Sequence, residues 1–418
     1  MSGMIFSPAR PQDAADIIRD CVTRSITLKL RGGGTRAGFG NPVASDAVLS
    51  SAALSGIMVY NPAEMVLTAK AGTPMADIEA AVVEKGQFLA FEPPDHRPMM
   101  GTAGEPTIGG AFAVNASGPR RFVSGAARDH LLGVGFINGK GETIKAGGRV
   151  MKNVTGLDLV KLMAGSFGTL GFLTEVTFKV LPKPRVTETI VVSGLDDAAG
   201  AHAMAVALAM PVEVSGAAHL PDLVAPRMIG GGLPDGPATV LRLEGLPASV
   251  SERADKLVAV MARLGPVTRL DGEQSAALWQ EIRDIRVYTD VLTKPLWKVS
   301  VAPTIGHKLV AGLRLQAAVD AFYDWQGGLV WMQMEAEPDA DLLRTGIKAL
   351  GGGHATLIRA DDAARKTLAA FEPQVSAVDL LSQRLRHTFD PSGIFNRGMM
   401  EQYIAGAPTS GPAARSAR

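Results

Sequence analysis

The sequence predicts an α+β protein of two to three domains. Its 418 residues suffice for that number at ~150 residues per domain, and a hydrophobic fraction of 46% is ample for real cores. Helical and strand periodicities alternate along the chain. The motif Pro182-Lys183-Pro184 separates two regions with different patterns of predicted helices and strands. We place a domain boundary there because proline interrupts helices and strand ladders alike.

Periodicity assigns the individual elements. Apolar residues at helical spacing predict helices over 11–21, 74–85, 254–261 and 375–389, the second with Thr73 as N-cap and Pro74 as its first helical residue. The last helix carries a stripe of Val378, Leu381 and Leu385. Strand patterns cover 26–30, 170–181, 239–244 and 329–335, and a hairpin over 133–145 turns at Asn138-Gly139.

Charge and cysteine content exclude several functions. The net charge of +1 gives no basic surface for phosphate neutralisation, so nucleic acid is not an expected partner. Cys21 is the one cysteine, and on a helical face it is a core residue rather than a reactive thiol. Any iron–sulfur cluster must therefore belong to another chain. No apolar run is long enough for a membrane span and no secretion signal is present, so we expect a cytoplasmic protein.

Three glycine-rich segments are candidates for chemistry. In Arg31-Gly-Gly-Gly-Thr35-Arg36, amides unshielded by Cβ atoms can converge on a pyrophosphate, although glycine clusters are more often plain turns. The second segment runs from Thr107 to Gly118, and the third, from Gly165 to Val176, places glycines directly before a strand, where backbone groups could face a planar ring. Each alone could be a packing seam. Together and in this order they are far more specific.

Two other nucleotide sites do not fit the sequence. A P-loop requires Ser or Thr after Gly-Lys, but Gly139-Lys140 is followed by Gly141. The nicotinamide dinucleotide fold requires a helix after its glycines, whereas residues 35–42 have no helical face.

With these segments the chain resembles the flavoprotein family of p-cresol methylhydroxylase, vanillyl-alcohol oxidase and D-lactate dehydrogenases, and within it the accessory FAD-binding subunits of bacterial glycolate oxidases. The similarity covers nearly the whole chain. Further matching motifs are Pro93-Pro-Asp95, Arg128-Asp129, 152–158, 296–303, Asp324-Trp325, 352–356 and Asp390-Pro-Ser-Gly-Ile-Phe-Asn396.

The resemblance implies a domain organisation and a set of cofactor contacts. It implies an FAD-binding domain of two α/β subdomains over 1–182, an α+β cap with an antiparallel sheet over 185–370, and a segment over 371–404 that returns to the FAD domain. The Pro, Gly, Ser and Ala composition at the end of the sequence predicts a disordered tail over 405–418. The implied FAD-binding residues are Arg31, Gly32, Gly33, Gly34, Thr35, Asp95, Thr107, Gly109, Gly110, Asn115, Ser117, Gly118, Gly168, Leu170, Gly171, Thr174 and Asn396.

Two departures from the family refine this expectation. Relatives with covalent flavin often carry histidine in the glycine loop, where this chain has Thr35, so we expect noncovalent FAD. The metal-binding histidine stretch of the catalytic dehydrogenases is absent, so we expect no metal site.

Catalytic residues stay unassigned. His354 is the histidine considered for proton abstraction, but a structural or surface role is preferred. Arg283 and Arg286 could anchor a substrate carboxylate from one helix face, or could belong to a solvated face, which we prefer.

The resemblance implies partners as well as a cofactor. A second flavin subunit would oxidise a small 2-hydroxy acid, and an iron–sulfur subunit would receive the electrons. Contact of such a complex with the inner membrane through its partners stays open. Two alternatives are a self-sufficient FAD-dependent D-2-hydroxy-acid dehydrogenase and a flavin-free scaffold subunit.

Overall fold

The computed structural model describes residues 4–148, 157–230 and 232–402. Residues 152–156 of the family motif and the predicted tail over 405–418 lie outside these ranges. The strands are β1 (Met4–Phe6), β2 (Leu28–Arg31), β3 (Ala47–Ser50), β4 (Ile57–Asn61), β5 (Val66–Lys70), β6 (Gln87–Phe88), β7 (Leu131–Ile137), β8 (Thr143–Gly147), β9 (Phe172–Lys179), β10 (Leu181–Pro182), β11 (Val186–Ser193), β12 (Gly216–Leu220), β13 (Ala238–Gly245), β14 (Val267–Leu270), β15 (Leu296–Ser300), β16 (Val319–Asp324), β17 (Leu329–Met334) and β18 (His354–Arg359).

The helices complete an α+β architecture, as predicted. They are α1 (Pro11–Thr23), α2 (Met75–Glu84), α3 (Arg97–Met100), α4 (Ile108–Ala113), α5 (Arg121–Ser124), α6 (Ala127–His130), α7 (Leu159–Met163), α8 (Asp197–Ala209), α9 (Pro247–Met261), α10 (Gly272–Arg283), α11 (Gly306–Arg314), α12 (Ala340–Ala349), α13 (Asp362–Thr367) and α14 (Ser376–Phe389).

The described strands form four sheets. A parallel sheet has the order β1-β3-β2, and an antiparallel sheet has the order β4-β5-β9-β7-β8. A larger antiparallel sheet has the order β14-β11-β13-β12-β16-β17-β15-β18, and β10 pairs with β6. The described strands up to residue 182 thus form three smaller sheets, and those after it form one large sheet.

The small parallel sheet positions the first glycine loop. Helix α1 begins at Pro11, whose fixed φ suits a first turn, and buries Ala14, Ile18 and Cys21 in the same core as Leu28 of β2. Cys21 is fully buried, as predicted, and burial raises the pKa of its thiol. Strand β2 begins two residues later than predicted and runs straight into the glycines.

The end of the chain completes the free edge of β2. The N–H of Leu28 donates to the carbonyl of Ile394 over 2.7 Å, and the N–H of Asn396 donates to the carbonyl of Leu28 over 3.0 Å. Residues from the two ends of the sequence therefore share one ladder beside the glycine loop.

The five-stranded sheet confirms the predicted hairpin, β7 and β8, but the turn spans five residues. Within it, the side-chain oxygen of Asn138 accepts from the amides of Lys140 and Glu142, each over 3.0 Å. The predicted N-cap of α2 is wrong. Pro74 holds that position in an extended conformation, because the Thr73 hydroxyl instead donates to the carbonyl of Lys70.

The eight-stranded sheet has one face covered by α8, α9, α11 and α12. Its other face, here called the inner face, packs on the N-terminal region. Lys298, Trp331 and Phe322 are successive cross-strand partners on β15, β17 and β16, so their side chains share this face. Trp331 and Phe322 belong to one core with Phe39 from the N-terminal region. The predicted strands over 239–244 and 329–335 and the helix over 254–261 are confirmed.

Helix α14 is present where predicted, but its apolar stripe is not covered. Val378, Leu381 and Leu385 remain 42%, 57% and 38% exposed, and no residue of the helix is buried. Its last residue, Phe389, lies 6.0 Å from Phe136 between ring centroids. Among the described residues, contacts at its C-terminal end hold the helix to the five-stranded sheet.

Candidate functional site

A cavity of about 450 Å³ opens where the glycine segments meet, within the range of small-molecule sites. It is bounded by the loop after β2, the first turn of α4, the loop before β9 and the end of the described chain. Eleven of the seventeen residues expected to bind FAD line it: Arg31, Gly32, Gly33, Gly34, Thr35, Thr107, Gly109, Gly110, Gly168, Gly171 and Asn396.

Glycine is required in the first loop because the backbone of another segment lies against it. A Cβ atom on Gly33 would overlap the carbonyl oxygen of Glu105, and one on Gly104, where φ is +103°, would overlap the carbonyl oxygen of Gly33. A Cβ on Gly32 would overlap the hydroxyl of Thr107, the N-cap of α4. The loop is thus pressed onto residues 104–107.

Positive charge concentrates on the cavity wall. Lys29, Arg31 and Arg36 line it, and its described lining residues include no aspartate or glutamate. Burial lowers the pKa of Arg36 to about 10, and its Nε donates to Nδ1 of His96 over 2.9 Å. Burial, with the charges of Arg365 and Arg31, also lowers the pKa of Lys29. Cations without acidic partners are arranged for an anionic ligand such as a diphosphate.

Apolar side chains also line the cavity, and Asn396 fixes part of its wall. Phe39, Val114, Phe167 and Leu173 are among the lining residues. The Asn396 side chain donates to the carbonyl of Phe167 over 2.7 Å and accepts from the N–H of Leu30 over 2.9 Å. One amide therefore joins the first glycine loop to the third, leaving apolar walls suited to a planar ring system.

Six of the expected residues lie outside the cavity lining: Asp95, Asn115, Ser117, Gly118, Leu170 and Thr174. Asp95 forms an ion pair with Arg97, with 2.9 Å between Nη2 and Oδ2. The side chains of Asn115 and Ser117 accept from the backbone amides of Arg128 and Ala127. The structure thus gives these three residues partners within the chain.

Several lining residues were not among the expected ones. Lys29 lies on β2 two residues before Arg31, and Arg36 is the last residue of the motif Arg31–Arg36. Both are basic residues beside the glycines, so the sequence alone could have indicated them. Phe39, Phe167 and Met399 are brought to the wall by tertiary packing, which no local pattern indicates.

The candidate substrate residues have other surroundings. His354 is exposed at the start of β18, as the preferred surface role requires. Arg283 and Arg286 do not share a helix, because α10 ends at Arg283 and a tighter turn follows. Arg283 pairs with Asp284 over 2.8 Å, so it is not part of a solvated face, whereas Arg286 is exposed.

Comparisons with known proteins decide the family. Residues 3–147 match the FAD binding domain family. Over 385 residues the chain is 33% identical to the glycolate oxidase subunit GlcE of Escherichia coli, covering 92% of this chain and 95% of that protein. The chain belongs to the GlcE family.

Other relatives agree with this membership. The glycolate oxidase subunit GlcD of Bacillus subtilis is 31% identical over 191 residues, 46% of this chain and 39% of that protein. The structure of p-cresol methylhydroxylase with substrate bound superposes with a TM-score of 0.69 at 14% identity, covering 95% of this chain and 88% of that one. This GlcE-family protein is thus an FAD-dependent oxidoreductase with the p-cresol methylhydroxylase fold.

The cavity fits the cofactor of the GlcE family. The amides of the glycine loop and three cations suit a diphosphate, and the apolar lining side chains suit a flavin ring. Within the described ranges, no helix combines the length and apolar character that a bilayer crossing requires. Nor do those residues bring three His, Cys, Asp or Glu side chains together as a metal site would.

Proposed function

We propose that this chain is the FAD-binding subunit of a glycolate (2-hydroxy-acid) oxidase complex. It binds FAD noncovalently and passes electrons from the substrate, or from a sister flavin subunit, to an iron–sulfur subunit. The observation that carries this proposal is the cavity, where glycine amides and three cations face one ligand space with no acidic residue among its described lining residues.

Different residues of the cavity would hold different parts of the cofactor. The Gly32–Thr35 amides with Lys29, Arg31 and Arg36 would hold the diphosphate, and Phe167 and Asn396 would border the flavin ring. Bound FAD would supply hydride acceptance from a carbon and onward delivery of the electrons. Noncovalent binding is supported by the wall itself, whose described lining residues include no histidine, cysteine or tyrosine to which flavin could attach.

The domain boundaries follow the same interpretation. We assign 1–182 to FAD binding, 185–370 to a cap and 371–404 to a segment that returns to the FAD domain. The strand limits support this, since the eight-stranded sheet uses only residues between Val186 and Arg359. The hydrogen bonds between Leu28 and Ile394–Asn396 support the return of the last segment.

Partner subunits are the second part of the proposal. The relative that matches 92% of this chain carries the name of a subunit, and one buried cysteine cannot hold an iron–sulfur cluster. We propose a cytoplasmic complex whose contact with the inner membrane, where there is one, runs through the partners.

The first test is the colour of the purified chain. We expect flavin absorbance after gel filtration, and release of the flavin into the supernatant after acid precipitation because no covalent bond holds it. Flavin that stays with the pellet would overturn noncovalent binding. A folded protein that remains colourless with excess FAD would overturn the cofactor role and favour the scaffold alternative.

The second test addresses the complex. Affinity purification from native extract should recover a second flavoprotein and stoichiometric non-haem iron. Glycolate should reduce the flavin only in that complex. Rapid bleaching of the isolated chain by glycolate or D-lactate would instead support the self-sufficient dehydrogenase.

A further inference from the structure

A lysine on the inner face of the large sheet lacks a polar partner. Lys298 lies on β15, with its Nζ 5.2 Å from the ring centroid of Trp325 and 5.8 Å from that of Trp331. Among the described residues, its side chain forms no hydrogen bond and no ion pair. Ring faces attract an ammonium group but supply no acceptor for its three N–H donors. A half-buried ammonium in this state favours an anion within reach of its donors.

A second cation shares the same indole. The guanidinium of Arg121 lies 4.4 Å from the Trp325 ring centroid, and its side chain also has no hydrogen bond or ion pair to a described residue. Burial, followed by the charge of Arg121, lowers the pKa of Lys298 to about 8. Two like charges beside one ring repel each other, and an anion between them would relieve that repulsion.

The acid closest in sequence and fold does not neutralise this pair. Asp324 ends β16, and its Oδ1 accepts from the N–H of Trp325 over 2.7 Å. It forms no ion pair with Lys298. Burial raises the pKa of Asp324 to about 7, so near neutral pH part of its population is uncharged. The charge of Asp324 acts on Lys298 and that of Asp129 acts on Arg121, but neither carboxylate forms an ion pair with these cations.

The two cations lie beside the proposed FAD site. His96 connects them to it, because its ring accepts from Arg36 of the cavity wall and packs edge-on against Phe39 at 5.0 Å. After burial, the positive charges of Arg36 and Lys298 together depress the pKa of His96 well below 6.5. Trp325 also donates from its indole nitrogen to the carbonyl of Gly118 over 3.0 Å, which fixes this ring against the N-terminal region.

We propose that Lys298 and Arg121, held against Trp325 and Trp331, bind the carboxylate of a small hydroxy acid beside the FAD site. This rests on the proposed function for the identity of the acid. A carboxylate is a small, singly charged acceptor that two cationic donors can satisfy at once. The indole walls favour a compact carboxylate over a bulkier hydrated anion, since their faces offer it no hydrogen bonds.

The test uses the full chain as purified, with oxalate as a non-oxidisable analogue of glycolate. Titration with oxalate should change the tryptophan fluorescence, because Lys298 contacts two indole rings, and should perturb the flavin absorbance bands. Glycolamide, which has no carboxylate, should change neither. Lys298→Met should raise the oxalate Kd at least tenfold, whereas Lys298→Arg, which keeps the charge, should stay within threefold.

Matched variants separate binding from folding. Lys308→Met, on exposed Lys308 of α11, should leave the oxalate Kd unchanged. Where Lys298→Met fails to fold, Arg121→Met is held to the same tenfold criterion. An unchanged Kd in the folded variant, or wild-type protein that shows no response to oxalate, would overturn the anion site. A colourless protein whose tryptophan fluorescence still responds to oxalate would overturn the cofactor proposal and leave this one standing.

Discussion

Arg242 donates two hydrogen bonds to the carboxylate of Glu92, at 2.9 and 3.1 Å, and so joins the large sheet to the N-terminal region. Arg242 is 3% exposed and lies over the ring of Trp279. The same carboxylate accepts from the N–H of Arg120, whose guanidinium pairs with Glu244. Four charged groups from distant parts of the sequence thus form one buried network.

Glu92→Gln tests this network. The amide keeps the shape but removes one of the two carboxylates that pair with Arg242, leaving only Glu244, whose Oε2 lies 3.4 Å from Nε of Arg242. We therefore expect the free energy of unfolding to fall by about 2 kcal/mol, as for loss of a hydrogen-bonded charge. Urea denaturation measures the loss. Glu84→Gln, which breaks the exposed pair with Lys85, is the control and should lose less than ~1 kcal/mol. Equal losses in the two variants would mean that the buried Glu92–Arg242 pair contributes no more to stability than the exposed Glu84–Lys85 pair.

Asn396→Ala removes the amide that joins two glycine loops. It leaves the N–H of Leu30 and the carbonyl of Phe167 unpaired, so we expect a loss of about 2 kcal/mol in stability and weaker FAD binding. Asn396→Asp retains the acceptor for Leu30 and should lose less. Thermal unfolding and flavin titration provide the two readouts. Wild-type FAD affinity in the Asn396→Ala variant would contradict this prediction.

Gly33→Ala tests the close approach of the first loop. The added methyl group would overlap the backbone carbonyl of Glu105, so the loop must move and its amides lose their common direction. We expect the FAD Kd to rise roughly tenfold, about 1.4 kcal/mol, with far-UV circular dichroism unchanged. Gly148→Ala, where a Cβ meets open space, is the matched control. Equal affinities for the two variants would contradict the assigned role of the loop.

His130 should make stability depend on pH. Burial, followed by the charge of Lys179, lowers its pKa from 6.5 to about 4 in the folded state. The unfolded chain therefore takes up a proton between these values while the native state does not, and stability falls as the pH drops below about 6.5. From pH 7 to pH 5 we expect a loss of about 2 kcal/mol from this group.

Urea unfolding at the two pH values measures this loss. His130→Asn should reduce the difference, and exposed His354→Asn should leave it unchanged. A wild-type protein that is equally stable at both pH values would refute the assignment, as would a His130 variant with the full slope.

The sequence predicted most of this architecture because its signals are local. The strand before Gly32, the hairpin at Asn138 and the helix ending at Met261 each follow from periodicity and turn residues. The predicted N-cap Thr73 does not cap the helix, because its hydroxyl donates to the carbonyl of Lys70 and accepts from the N–H of Gly56 over 3.0 Å. The partner at Gly56 lies outside the window in which a capping pattern is read.

The site was predictable only in part, for a physical reason. Glycines that have no room for a Cβ atom are visible in the sequence as glycine-rich segments, and eleven of the residues expected from these segments and motifs line the cavity. Met399 and the Lys298–Trp331 pair meet the N-terminal region, Phe39 included, only through the packing of distant elements. No window of sequence contains that information.

The pairing of β2 with residues 394–396 has a consequence for how the protein is made. The edge strand beside the first glycine loop receives its final neighbour from residues translated more than 360 positions later. A nascent chain can therefore pack α1 against β2 and β3, but it cannot complete this core or this edge until Ile394 and Phe395 have been translated. Flavin capture has to wait for these residues, and a stop codon placed just before Ile394 would yield apoprotein.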